Sequence, residues 1–229
     1  MPSPHTAARI VVVGLGPGGE QHITDEARLA IDRIPHRHLR TSMHPSAHLV
    51  PDANSHDDLY ETAHSFDDVY VEITNRLIES AYEHGEILYA VPGSPLILER
   101  TVRYLQERAS ENEGVEVNIV PAMSFLDVAW TRLGIDPVEA SIRLVDGHEF
   151  ATAAAGERGP LLVAHTHANW VLSDIKLAVE GAKGADPVVI LHALGTDDEQ
   201  VTHTTWAKLD QTIEANHLTS IYIPRLSAP

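Results

Sequence analysis

The stretch that decides the fold is IVVVGLGPGG, residues 10–19, in which four apolar residues run directly into a loop that contains four glycines. An apolar run of this kind is typical of a β-strand that is buried on both faces. Glycine adopts backbone conformations that other residues avoid, and it lets a ligand approach the main chain closely. The stretch therefore predicts a strand followed by a loop that binds a phosphate, ribose or carboxylate group.

The loop also fits a pattern that we interpret differently. Gly14, Gly16 and Gly19 match the G-x-G-x-x-G pattern of dinucleotide-binding folds, in which the third glycine opens the helix under the pyrophosphate. Here four residues separate Gly19 from the first good helix N-cap, Thr24, and the strand expected at 38–41 contains no acidic residue for ribose hydroxyls. Nicotinamide or flavin binding is thus disfavoured, a tight turn without a ligand stays open, and we favour another nucleoside-containing ligand.

The composition limits the classes of protein to which the chain can belong. It has 229 residues, no cysteine and a formal net charge of −17. Disulfides, thiolate metal sites and thiol nucleophiles are therefore excluded. The negative charge argues against binding to nucleic acid or to an anionic membrane through a basic face. No apolar run is long enough for a membrane helix, and no signal peptide is recognisable, so we expect a cytoplasmic protein.

Strand and helix patterns alternate through the first half of the chain. The patterns predict helices over 24–34 and 66–84 and strands near 38–41, over 86–91 and over 115–120. The polar segment 42–65 is predicted to be an irregular loop. After the 86–91 strand comes a second corner, Pro92–Pro95, in which Ser94 as N-cap and Pro95 as first helical residue predict an immediate helix start. If the two strands are parallel, this corner stands beside the first one. Ser124, in a capping-box pattern with Asp127, predicts a further helix that ends near Gly134.

The second half changes character and predicts a mixed sheet with fewer helices. One helix is predicted over 170–181, and residues 150–159 are interpreted as a polar, alanine-rich connection. The predicted strands cover 142–145, 161–165, 188–192, 201–206 and 220–223. We therefore expect two α/β domains, 1–121 with a mostly parallel sheet and 122–229 with a mixed sheet, and a ligand cleft between them.

Several histidines and acidic residues are candidates for metal-binding or catalytic groups. His165 and His167 would share one face of a strand and could bind a metal together with His192 or His203, but no carboxylate has ligand spacing, so we predict no metal site. The turn Asp197–Glu199 is interpreted as solvated rather than as a magnesium site. The segment 42–65 carries a group of histidines that would line a substrate mouth, form a pH-sensitive lid or lie in a mobile loop: His44, His48, His56 and His64.

Three corners together resemble the tetrapyrrole (corrin/porphyrin) methylase family. They are Val13–Gly18, Tyr89–Pro95 and Val120–Asp127, each a strand end followed by a turn. Further segments resemble the methylase-like domain at the N-terminus of MazG-type nucleotide pyrophosphohydrolases: Leu39–Thr41 with His44-Pro45, Tyr60-Glu61 before Phe66–Tyr70, Arg132–Pro137, Leu144–Gly147 and Ser173–Leu177. The resemblance covers roughly residues 9–226.

This resemblance implies an S-adenosylmethionine-binding protein, commonly a homodimer, whose cofactor is held largely by backbone groups in a cleft between two α/β domains. Carried onto this sequence, it implies cofactor-binding residues on five segments: Leu15, Gly16 and Pro17; Gly93, Ser94 and Ile97; Ser124 and Phe125; Thr166 and His167; Ala193, Leu194 and Gly195. Methyl transfer from a sulfonium depends mainly on alignment and exclusion of water, so the absence of an obvious catalytic triad is expected.

The resemblance has departures that leave the acceptor open. Gly19 and Ser94 stand where many family methylases have an aspartate. The acceptor is a tetrapyrrole, another small molecule or a peptide amide, and the candidates for a general base are Tyr60, His44 and His64. A second hypothesis is a non-catalytic S-adenosylmethionine- or nucleoside-binding module partnered with a MazG-type pyrophosphohydrolase. A third is a nicotinamide-dependent oxidoreductase that uses the glycine pattern.

Overall fold

A computed structural model describes residues 8–63, 65–111 and 114–228. The chain divides into two compact units, Met1–Leu126 and Asp127–Pro229. Each unit has its own sheet and its own buried apolar core. Two α/β units, the first with a parallel sheet and the second with a mixed sheet, confirm the fold class predicted from the sequence.

The first unit is built on a five-stranded parallel sheet with the strand order β3-β2-β4-β1-β5. Its strands are β1 (Ala8–Gly14), β2 (Arg37–Leu39), β3 (Asn54–Ser55), β4 (Glu86–Val91) and β5 (Val115–Ile119). The central strands β1 and β4 pair from Arg9 with Glu86 to Gly14 with Val91, so both strands end at the same edge. Their continuous apolar sequences are explained by helices that cover both faces of the sheet.

The helices of the first unit match the predicted capping residues only in part. They are α1 (Asp25–Arg33), α2 (Asp57–Thr62), α3 (Phe66–His84) and α4 (Arg100–Ser110). The side chain of Thr24 accepts a hydrogen bond from the Ala27 N–H at 3.2 Å, and Gly85 ends α3 with a φ of 79°. The helix start at Thr24 rather than at the glycines agrees with the argument against a dinucleotide fold.

The prediction of an irregular loop over 42–65 is wrong. The segment contains a 3₁₀ turn (Ala47–Leu49), strand β3 and helix α2. The Asp57 carboxylate organises this segment, because it accepts hydrogen bonds from the backbone N–H of Ser42 at 2.8 Å and from the Ser55 hydroxyl at 2.6 Å. Hydrogen bonds between polar groups thus hold the segment in place. A search for hydrophobic periodicity does not detect such interactions.

The second unit is built on a mixed sheet with the strand order β6-β7-β10-β8-β9. Its strands are β6 (Arg143–Asp146), β7 (Leu161–Ala164), β8 (Pro187–His192), β9 (Gln200–Thr205) and β10 (Thr219–Ile223). The pair β6–β7 is parallel, and β10 runs antiparallel to both β7 and β8. Strands β7 and β8 therefore point the same way, and their carboxyl ends lie at one edge of the sheet.

The described residues contain three further α-helices: α5 (Phe125–Leu133), α6 (Phe150–Ala153) and α7 (Asn169–Ala178). The interpretation of residues 150–159 as a polar connection is wrong at its start, because Phe150 is buried in the core and begins α6. Helix α7 ends at Ala178, three residues before the predicted end. Within the described residues no helix is both long and apolar enough to cross a membrane.

Two buried imidazoles in the first unit are expected to make it sensitive to acid. His38 and His56 stack with ring centroids 5.3 Å apart, and neither ring nitrogen of His56 has a hydrogen-bond partner among the described residues. Burial, together with neighbouring histidines, lowers the pKa of His38 and of His56 from 6.5 to about 4. Between these two pKa values the imidazoles bind protons in the unfolded chain but stay neutral in the folded chain.

We therefore expect the free energy of unfolding to fall between pH 6.5 and pH 4, by about 2 kcal/mol for each ring at pH 5. His56→Leu should remove about half of this pH dependence, whereas His217→Gln, at an exposed position, should not change it. Urea unfolding followed by far-UV circular dichroism measures the free energy of unfolding of wild type and of the two variants at pH 7 and pH 5. Equal pH slopes for wild type and His56→Leu would contradict the expectation.

Candidate functional site

Two glycine corners meet at the carboxyl edge of the first sheet. The Gly16 N–H donates to the Gly93 carbonyl at 3.2 Å, and the Gly93 N–H donates to the Gly16 carbonyl at 2.8 Å. Both residues have a positive φ, 73° for Gly16 and 64° for Gly93, which strongly favours glycine. The sequence prediction that the two loops stand side by side is confirmed.

The glycines at these corners have different surroundings. A Cβ atom at Gly14 would lie 2.2 Å from the Gly93 carbonyl oxygen, and one at Gly16 would lie 2.6 Å from the His22 Cβ. A Cβ atom at Gly93 would meet no described atom within 4 Å. Gly14 and Gly16 are thus required by packing inside the unit, whereas the Cα of Gly93 faces open space that a ligand can approach.

The second corner does not open a helix directly, so the predicted start at Ser94-Pro95 is wrong. Residues 94–98 form turns, in which the Ile97 N–H donates to the Ser94 carbonyl at 3.1 Å. Helix α4 begins at Arg100, and its N-cap is Glu99, whose carboxylate accepts from the Thr101 N–H at 3.3 Å. The corner is therefore longer than predicted and exposes more backbone than an immediate helix would.

Glu99 is held in place by a buried ion pair that the sequence analysis missed. Arg40 Nη1 donates to Glu99 Oε2 at 3.0 Å, and Arg40 Nε donates to the Tyr60 hydroxyl at 3.1 Å. The Glu99 side chain is only 1% exposed, and burial raises its pKa although Arg40 acts in the opposite direction. The pair joins residues 59 positions apart, so no local pattern could have indicated it.

The candidate general bases have other partners in the structure. The His44 ring donates from Nε2 to the Gly16 carbonyl at 3.0 Å and accepts at Nδ1 from the Ser46 N–H at 3.2 Å. Burial lowers its pKa, against the effect of the Gly16 carbonyl. Both ring nitrogens are thus engaged, and His44 tethers the first corner. Tyr60 accepts from Arg40, as described above, and His64 lies outside the described residues.

The third corner carries the helix cap that the sequence predicts. Ser124 is buried, and its hydroxyl accepts from the N–H of Leu126, the second residue of α5, at 3.1 Å. Phe125 is the first helical residue and is half-buried. Ser124 therefore sits at a helix N-terminus, where backbone N–H groups favour polar or negatively charged ligand atoms.

In the second unit the remaining predicted residues lie at one sheet edge. Thr166 follows β7 and is fully buried, and its hydroxyl donates to the Thr219 carbonyl at 2.8 Å. Ala193 follows β8 with a φ of 49°, and its N–H donates to the Leu218 carbonyl at 3.0 Å. The Gly195 N–H donates to the Glu199 carboxylate at 2.8 Å. The segments after β7 and β8 are thus both fixed at the same edge.

Two sequence interpretations in this unit need correction. His165 and His167 do not lie on a strand face, because β7 ends at Ala164 and His165 has a φ of 56°. The part of the chain that the structure describes holds no group of three or more His, Asp or Glu side chains placed to bind a metal. Glu199 is not solvated, since its side chain is 18% exposed and pairs with Arg132.

The described architecture is that of a two-unit α/β protein with paired glycine corners on a parallel sheet. The sequence profile of the Tetrapyrrole (Corrin/Porphyrin) Methylases matches residues 9–210. The chain therefore belongs to this family of methyltransferases. The class of the protein is thus assigned by its membership in this family and not by any single motif.

Solved structures share the fold at low sequence identity. A cobalt precorrin-4 methyltransferase of cobalamin biosynthesis, CbiF, is 16% identical with a TM-score of 0.73, and the match covers 98% of each chain. A uroporphyrin-III C-methyltransferase from Thermus thermophilus, complexed with S-adenosylhomocysteine, is 16% identical with a TM-score of 0.69, covering 94% of this chain and 97% of that one. A diphthine synthase is 14% identical with a TM-score of 0.69, covering 94% and 90%.

One curated relative is more similar in sequence but much longer. The protein YabN of Bacillus subtilis (strain 168), which carries the description uncharacterized, is 33% identical over 223 residues. The match covers 95% of this chain and 45% of that relative. The chain thus spans about half the length of the curated relative that it matches.

Proposed function

We propose that the chain binds S-adenosylmethionine at the paired glycine corners and transfers its methyl group to an acceptor. The observation that carries this proposal is the reciprocal hydrogen bonding of Gly16 and Gly93, with the Cα of Gly93 facing open space. Such an edge suits a nucleoside ligand held by backbone contacts rather than by charged side chains. Family membership and the S-adenosylhomocysteine complex of the Thermus thermophilus enzyme support the same ligand.

The proposed cofactor-binding residues are those at the fixed ends of the strands. In the first unit they are Leu15, Gly16, Pro17, Gly93, Ser94, Ile97, Ser124 and Phe125, and in the second Thr166, His167, Ala193, Leu194 and Gly195. When bound, the cofactor supplies an electrophilic methyl group on a sulfonium. The residues of this chain then have to bind the cofactor, orient its methyl group and exclude water. Rigid corners favour each of these tasks.

The acceptor is proposed only as a class. The solved relatives act, by their names, on uroporphyrin-III and cobalt precorrin-4, and one is a diphthine synthase. The candidates for this chain are accordingly a tetrapyrrole, another small molecule or a peptide amide. The homodimer that the family resemblance implies stays a prediction.

Calorimetric titration with S-adenosylmethionine and S-adenosylhomocysteine tests the proposal, with binding expected in the micromolar range. Gly93→Ala should weaken binding by about tenfold or more, because the new Cβ fills the space that the ligand approaches. Gly85→Ala is the matched control, since Gly85 also has a positive φ and open space but lies at the end of α3. Both changes introduce a strained backbone conformation of about 1–2 kcal/mol.

The outcomes of this titration distinguish two questions: whether the protein binds the cofactor, and whether it binds it at the paired glycine corners. No binding at millimolar cofactor would overturn the proposed function. Binding that is weakened equally in Gly93→Ala and Gly85→Ala would place the site away from the paired corners. Affinity in Gly85→Ala that stays within about twofold of wild type, with a loss in Gly93→Ala alone, is the expected result.

A second candidate function is a non-catalytic S-adenosylmethionine- or nucleoside-binding module that regulates a partnered MazG-type pyrophosphohydrolase. Two observations favour it. The Bacillus subtilis relative is about twice as long as the matched region, and Gly19 and Ser94 replace carboxylates expected from the family resemblance. Cofactor binding without methyl transfer to any of the three acceptor classes would favour this candidate over catalysis.

A further inference from the structure

A carboxylate and an imidazole meet at the carboxyl edge of the second unit's sheet. Asp146 is the last residue of β6, and it lies beside Ala164, the last residue of the parallel strand β7. His165 follows immediately, and its Nδ1 lies 2.9 Å from Asp146 Oδ2. The two residues are 19 positions apart, so the pair exists only because the two strands end together.

The carboxylate is fixed on both of its oxygens. Asp146 Oδ1 accepts a hydrogen bond from the His148 backbone N–H at 3.0 Å, while Oδ2 faces His165. Burial acts to raise the pKa of Asp146, but the hydrogen bonds from His165 and His148 outweigh it and lower that pKa below its ordinary value. An ionised Asp146 has no proton to donate, so a neutral His165 must carry its proton on Nδ1 and leave a lone pair on Nε2.

The backbone holds His165 in an unusual conformation. Its φ of 56° lies in the left-handed region, which costs free energy for a residue with a side chain. The next residue, Thr166, anchors this conformation through its hydrogen bond to the Thr219 carbonyl. The His165 side chain is 41% exposed despite its carboxylate partner, so the imidazole is not enclosed by the residues that hold it.

Two further imidazoles border the pair. The His148 ring lies 5.6 Å from the His165 ring between centroids, and His148 Nε2 is 3.1 Å from His167 Nδ1. Asp146 and His148 thus lie beside His165, and His167 lies beside His148. His167 and Thr166 are also proposed cofactor-binding residues, so the Asp146–His165 pair borders the proposed cofactor edge of this unit.

We propose that His165 Nε2 accepts the proton of the methyl acceptor and that Asp146 positions the His165 ring for this role. The proposal rests on the proposed function and names the substrate class: an acceptor whose nucleophilic nitrogen, oxygen or carbon carries a hydrogen. A bond forms between this atom and the methyl carbon, and the sulfur–methyl bond breaks with its electron pair passing to sulfur. The proton moves to Nε2, and Asp146 balances the imidazolium charge.

The tautomer of His165 tests the pair independently of any acceptor. In protein labelled with ¹⁵N-histidine, neutral His165 should show a protonated Nδ1 and an unprotonated Nε2. Asp146→Asn should shift the population towards the Nε2–H tautomer. Glu149→Gln, which removes the same charge three residues away in sequence, should leave the His165 signals unchanged. An Nε2–H tautomer in the wild type, or no change in Asp146→Asn, would overturn the proposal.

Titration of the labelled protein with S-adenosylhomocysteine tests the location. If the pair borders the cofactor, the His165 ring signals should shift as the product binds, with His217 as an exposed reference that does not shift. Calorimetric binding without a His165 shift would overturn the proposed role of the pair while the cofactor proposal stands. No calorimetric binding would instead overturn the proposed function, and with it the role of His165.

Discussion

Gly14→Val is expected to unfold the first unit or to lower its free energy of unfolding by more than about 4 kcal/mol. The first side-chain atom would lie 2.2 Å from the Gly93 carbonyl oxygen, 2.5 Å from the Ala122 Cβ and 2.9 Å from the Pro95 Cδ. Backbone and proline atoms cannot rotate away as a flexible side chain can. The clash therefore forces apart the corners that Gly16 and Gly93 hold together.

Urea unfolding followed by far-UV circular dichroism measures this loss. All three tryptophans, Trp130, Trp170 and Trp206, belong to the second unit, so their fluorescence follows the unfolding of that unit. Gly19→Val is the matched control in the same loop. The three atoms nearest to a Cβ there all belong to the side chain of Gln21, the first at 2.5 Å, and this side chain can move. A Gly14→Val protein as stable as Gly19→Val would contradict the packing described for this corner.

Arg40→Met is expected to lower the free energy of unfolding by about 3–5 kcal/mol, because it leaves the Glu99 carboxylate buried without its partner. Arg100→Met is the matched control on the neighbouring helix. Arg100 pairs with Asp67 where the two side chains are 54% and 62% exposed, so its loss should cost less than about 1 kcal/mol. Denaturant unfolding of the three proteins at pH 7 measures the difference.

The decrease in the free energy of unfolding caused by Arg40→Met should also become smaller as the pH falls. Burial raises the pKa of Glu99, and the loss of Arg40 removes the largest of the interactions that oppose this effect. The folded variant therefore takes up a proton at a higher pH than the unfolded chain, and its stability relative to wild type rises as the pH decreases towards 5. A stability difference between Arg40→Met and wild type that is equal at pH 7 and pH 5 would contradict an ionised, buried Glu99.

The parts of the fold that the sequence predicted depend on short-range patterns. The apolar runs of β1 and β4 identify central strands, and the spacing of Val69, Ile73 and Leu77 identifies α3, whose buried face contains all three. Capping residues such as Thr24 bond within one turn, so local sequence reports them as well. Since parallel strands end at the same edge, the meeting of the two glycine corners followed from the strand assignment.

The features that were predicted wrongly, or not at all, depend on partners that are distant in the chain. The helix after the second corner begins at Arg100 instead of Pro95 because Glu99, held by Arg40, provides the cap. Asp57 organises segment 42–65 through Ser42 and Ser55, without any hydrophobic period. The pairing of Asp146 with His165 likewise depends on the register of β6 and β7. The cofactor contacts assigned from the family resemblance stay predictions.

The reciprocal hydrogen bonds between Gly16 and Gly93 determine the smallest piece of this protein that could be transplanted. A designer who grafts only the β1 corner onto another sheet would leave the Gly16 N–H and carbonyl without the partners that hold them here. The host would have to supply a second parallel strand that ends in its own left-handed glycine at the same level. The transferable module is therefore a pair of adjacent strands with both of their loops.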